Sequence, residues 1–91
     1  MTSSFIYVVK ETSFQVKGED RVLICEDIIA AYASIDEARG RAKDGADRFE
    51  RQHYMADFKR EVESKDFIAL ATGKYVFTFS VVKTSLCGKQ C

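Results

Sequence analysis

From Ser34 onward, small or apolar residues return at every third or fourth place: Ile35, Ala38, Ala42, Ala46, Phe49, His53 and Ala56. That is the period of one helix face. Ser34 is a good N-cap, and Glu37 three residues on completes a capping box. Asp36 and Glu37 put negative charge in the first turn, where the helix dipole favours it. The other face pairs Glu37 with Arg41, Asp44 with Arg48 and Asp47 with Arg51 at i,i+4. Gly40 and Gly45 each cost the helix about 1 kcal/mol against alanine. Among Ala38, Ala42 and Ala46 they leave a nearly smooth face, suited to close backbone approach. Such a face is suited to docking on a sheet.

The flanking segments read as that sheet. Phe5–Lys10 is β-branched and aromatic, and Phe14 and Val16 continue it as a ragged edge. Lys17-Gly-Glu-Asp20 is a turn signal. Val22–Cys25 and Ile28–Ala33 follow as one strand with a bulge at Glu26-Asp27, or as two short strands, with the first burst pairing back on Phe5–Lys10. Past His53 the apolar positions rotate to Met55, Phe58 and Val62, again at helical spacing. One helix from Ile35 to Glu63 would be about 43 Å long at ~1.5 Å per residue, so a bend near Gln52–Tyr54 or a split into two helices is expected. Phe67–Ala71 suits a strand or a helix end. Tyr75–Lys83 is the clearest strand, with Tyr75, Phe77, Phe79 and Val81 on one side and Val76, Thr78, Ser80 and Val82 on the other. The fold class is α+β: a small antiparallel sheet with one long helix, bent or split, packed on one face.

Ninety-one residues allow one domain, taken as 1–86 with a flexible tail over 87–91. Fourteen basic and fourteen acidic side chains cancel, which argues against nucleic acid or an anionic membrane as partner. No apolar run approaches the ~20 residues of a membrane span. The start is not a signal peptide, since its apolar core is only Phe5 to Val9 with no basic residue before it. With three cysteines, an odd set, a cytoplasmic chain without a disulfide framework is expected. Cys25 reads as a buried small hydrophobe, and Cys87 and Cys91 as free thiols in the tail.

The chemistry-bearing candidates are few. His53 is the single histidine, and with Tyr54 it is the candidate catalytic pair. Glu50, His53 and Asp57 share one helix face at a metal-ligand spacing, but a helical di-metal site needs further carboxylates and a second histidine. No metal and no cofactor are expected. Glu26 and Asp27 are adjacent in a strand, so they point to opposite faces and make no carboxylate pair. Gly73-Lys-Tyr-Val-Phe-Thr-Phe has the flavour of an RNA-recognition strand, but the zero net charge and the missing second aromatic strand favour core packing.

The order Phe5-Ile-Tyr-Val-Val-Lys10, then Ile28-Ile-Ala-Ala-Tyr-Ala-Ser34, then Ile35-Asp-Glu-Ala38 resembles small uncharacterised fungal and bacterial α+β proteins with a tyrosine-x-serine pattern between a β-hairpin and a helix. Ala31 stands where such proteins often have glycine. The resemblance implies a late strand returning beside the first, and it implies no activity.

Two functional classes follow. The first is a non-catalytic protein-interaction or self-association module, a homodimer or the binder of another protein. Its interface would use Val76, Thr78, Val82, Ile6 and Val8 on the sheet face away from the helix. The second is a small cofactor-free dimeric α+β-barrel enzyme of monooxygenase or isomerase type using His53. An enclosed pocket of at least ~300 Å³ reached by His53 or a tyrosine would favour the enzyme.

Overall fold

The computed structural model describes residues 5–85. The chain runs β1 (Phe5–Lys17), β2 (Asp20–Tyr32), α1 (Ile35–Gln52), a 3-10 turn (Tyr54–Ala56), β3 (Lys59–Glu63), β4 (Phe67–Ala71) and β5 (Tyr75–Ser85). The strands form one sheet in the order β2-β1-β5-β4-β3, every neighbouring pair antiparallel. The helix packs on one face. This is the small α+β fold expected from the helix pattern.

The β1–β2 hairpin turns through Gly18 and Glu19 between the paired residues Lys17 and Asp20. Gly18 has φ +63°, the left-handed backbone that the turns suited to a two-residue hairpin require. Both strands are longer than the sequence reading had them: β1 runs unbroken to Lys17 and β2 unbroken from Asp20. The burst Val22–Cys25 pairs with Ser13–Gln15 rather than with Phe5–Lys10, and Ala30–Tyr32 takes the place opposite Tyr7–Val9. The register slips at Ser13/Phe14 and at Val9/Lys10, so Ile24 and Ile29 are the extra residues. The acidic pair Glu26-Asp27 sits between these two bulges in regular pairing with Thr12 and Glu11.

Ser34 caps α1, its hydroxyl accepting from the Glu37 amide at 3.4 Å. Ala38, Ala42, Gly45, Ala46 and Phe49 are its buried residues. They meet Val9, Ile68, Leu70 and Phe79 from β1, β4 and β5, with Phe77 and Val81 packed alongside. A Cβ on Gly45 would stand 3.0 Å from the Phe79 ring, so the helix backbone lies directly on that ring. Phe49 carries the aromatic end of the core: its ring centroid is 4.4 Å from Phe77, 4.9 Å from Phe58 and 6.3 Å from Phe79.

No second helix follows. The helix stops at Gln52, and Asp57 at φ +58° swings the chain into β3. The helical spacing of Met55, Phe58 and Val62 misleads because the three side chains part company. Met55 is 83% exposed, Phe58 packs on the core beside Phe49, and Val62 lies on the opposite side of the sheet, paired with Ala69. Four charged residues in Lys-Arg-Glu-Val-Glu read as a solvated helix face, and they are equally the sign of a guarded edge strand.

Two ion-pair groups fasten β3 and β4 to the helix. Arg60 donates to Glu50 at 2.7 Å, to Glu63 at 2.6 Å, and to Asp47. Arg39 grips Asp66 through Nε at 2.6 Å and Nη2 at 3.4 Å, which holds the Asp66 carboxyl below its usual range. The hydrogen bond to Glu50, and after it that to Asp47, holds the Arg60 guanidinium protonated more firmly than usual against its burial. Arg60→Gln leaves three carboxylates facing one another and should lower stability by about 1–2 kcal/mol at low salt. The loss should shrink in 1 M salt; urea midpoints that match wild type at low salt would show that the cluster is idle.

The face away from the helix is also partly buried. Val8, Thr12, Ala69, Ala71, Val76 and Thr78 all lie on it, and Val76 is only 1% exposed. The sheet accounts for this by coiling. Arg21 on β2 forms a 3.8 Å ion pair with Glu61 on β3, although these are the two edge strands. In a flat sheet they would stand about 19 Å apart at ~4.8 Å per strand. Arg21 pairs with Val16 on the uncovered face, so the edges draw together over that face and make it a trough.

Candidate functional site

The helix end does not assemble an active site. His53 is exposed, stacked at 4.2 Å on Phe49, and its Nδ1–H donates to the Phe49 carbonyl at 3.0 Å. A carbonyl only accepts, so Nδ1 is the donor in this contact. Tyr54, in the 3-10 turn, is 74% exposed. Glu50 is engaged by Arg60, and Asp57 turns the chain into β3. Among the described residues no group of three or more His, Cys, Asp or Glu is placed to hold a metal, so Glu50, His53 and Asp57 are not brought together.

The clefts are small or open. One of about 210 Å³ between α1 and the β1–β2 hairpin is lined by Glu11, Arg41, Arg48 and Gln52 over Phe49 and Phe79. Another, about 400 Å³ and open to solvent, has Tyr75 beside Phe58 and Lys74. Neither His53 nor Tyr54 lines either of them.

Cys25 is exposed, where a buried position had been expected. It stands opposite Ser13 on the helix side of edge strand β2, beyond the part of the sheet that α1 covers. Its thiol donates to Asp27 at 3.2 Å. That hydrogen bond, reinforced by the Asp27 charge, raises the thiol pKa and so favours the thiol over the thiolate. Cys87 and Cys91 lie outside the described residues.

The trough is the feature that remains. Ile6, Val8, Val76, Thr78 and Val82 all lie on this one face, by the pairings Ile6 with Thr84, Val8 with Val82, Thr12 with Thr78 and Phe14 with Val76. Val8, Val76 and Thr78 are buried in its floor, Ile6 is half-buried and Val82 is 38% exposed. The more exposed apolar residues stand around them: Leu23 and Ile28 from β2, Val62 from β3 and Phe67 from β4. Local sequence does not single out these four, because the β2 bulges shift which residues share a face and because Val62 also fits a helical spacing with Met55 and Phe58. Alternation on β4 was the one signal that could have placed Phe67. Among the described residues no element covers the trough.

No protein-family model matches the chain, and neither a curated protein nor a solved structure matches it. No helix of the described residues is long and apolar enough to cross a membrane.

Proposed function

We propose that the domain is a non-catalytic protein-interaction module whose binding surface is the uncovered sheet face. The carrying observation is the grouping of Leu23, Ile28, Val62, Phe67 and Val82 around one trough, each 38–65% exposed. Scattered apolar residues are ordinary on a protein surface, whereas a contiguous set of several hundred Å² marks association. The part of the sheet under α1 is filled, His53 is engaged with Phe49, and the two clefts described hold no nucleophile beside a base. An exposed thiol held as a thiol by Asp27 fits the reducing cytoplasm, where we place the chain.

A photo-reactive amino acid at position 28, compared with one at exposed position 43 on the helix, tests this in cells. Cross-links to a defined protein, either another copy or a different chain, should form from position 28 and fade when Val82→Lys is added. Equal yields from both positions would overturn the reading.

A further inference from the structure

We infer that the trough takes a second copy of this chain, in a two-fold dimer that packs sheet against sheet. The inference rests on the interaction face just proposed and adds the occupant.

The first ground is charge. Lys10 and Glu26 both lie on the uncovered face, since Lys10 is opposite Ser80 and Ile28, and Glu26 is opposite Thr12. They are diagonal neighbours across the β1–β2 pair. Neither belongs to any of the ion pairs among the described residues, in which Arg21, Arg39, Arg48 and Arg60 are the cations. Two unlike charges side by side on an apolar face are the pattern a two-fold axis can use. If the axis passes between them, Lys10 of each copy meets Glu26 of the other, and one patch complements itself. A foreign partner would need matching charges in the reverse arrangement, whereas a second copy has them by symmetry.

The second ground is the exposed apolar rim: Leu23, Ile28, Val62, Phe67 and Val82 are each 38–65% exposed on this one face, so a second copy would cover surface that the fold itself leaves to water. Ile28, 65% exposed on the rim next to Lys10, is the anchor that would pack against the apolar rim of the other copy. The zero net charge of the chain removes the repulsion that holds many small domains apart.

Sedimentation velocity on the purified full chain at micromolar concentration should give the mass of two 10.3 kDa chains. Ile28→Lys should give one chain with an unchanged circular dichroism spectrum, because the residue is exposed, and a melting temperature lowered to the value that the unaltered protein approaches on dilution, because association stabilises the folded state. Lys10→Glu and Glu26→Lys should each weaken the dimer about tenfold or more by setting like charges face to face. The double variant Lys10→Glu/Glu26→Lys should recover to within about threefold of the original dissociation constant. A one-chain mass for the unaltered protein overturns the inference, and so does a dimer in which the charge exchange fails to recover. A one-chain mass with cross-links from position 28 to a different protein removes the second copy and keeps the interaction face. A one-chain mass without such cross-links removes both.

Discussion

Ala42→Glu should abolish cooperative unfolding of the purified chain. Ala42 is 1% exposed at the middle of α1, between Ala38 and Ala46, in the cluster with Val9, Leu70 and Phe79. A glutamate there has no basic partner on the sheet beneath it and cannot reach water without lifting the helix. An uncompensated charge in such a place costs several kcal/mol even after relaxation. A domain of this length is stable by only about 5–10 kcal/mol. The expected readouts are a flat thermal melt and collapsed proton chemical-shift dispersion. A cooperative melt within a few degrees of wild type would mean that the helix docks through another face.

Phe49→Ala should be the next most damaging change. Its ring is 7% exposed and lies against Phe58, Phe77, Phe79 and His53, so it joins the helix, β5 and the entry to β3. Truncating a buried phenylalanine costs about 3–5 kcal/mol in lost transfer energy and cavity. With a urea m-value of about 1–2 kcal/mol/M, the midpoint should fall by about 2 M or more. Phe49→Leu, which keeps most of the volume, should lose about half as much. A loss below about 1 kcal/mol for the alanine variant would show that the aromatic cluster can close over the gap.

The helix was legible because several local signals agree at the same residues. Ser34 and Glu37 mark its start, the alanines mark its face, and the buried set in the structure is the one that spacing singles out. Tyr75–Lys83 was legible for the same reason, and the strand runs on to Ser85: period-two alternation survives intact, with Phe77, Phe79 and Val81 against the core. What failed was local information that two structures satisfy equally. Met55, Phe58 and Val62 fit a helix by spacing, but only the tertiary demand for an edge beside β4 decides for a strand. Cys25 sits in an apolar run and is exposed, because β2 is an edge strand and α1 does not extend over that part of it. The trough was legible in part. Alternation on β1 and β5 put Ile6, Val8, Val76, Thr78 and Val82 on one face, but the coiling that buries three of them comes from the sheet as a whole and has no local sequence sign.

The strand order has a consequence for how the chain comes to be folded during its synthesis. β1 sits between a neighbour made directly after it and β5, the last strand of the described residues, with Phe14 beside Val76 about sixty residues downstream. While the chain emerges, the hairpin and then the helix can form, but one long side of β1 stays open. Phe77 and Phe79, which fill the space under the helix, arrive only with β5. The nascent chain therefore carries that edge of β1 unpaired until β5 appears. The same insertion that closes this edge also completes the floor of the trough, because Val76 and Thr78 come on the other side of that strand.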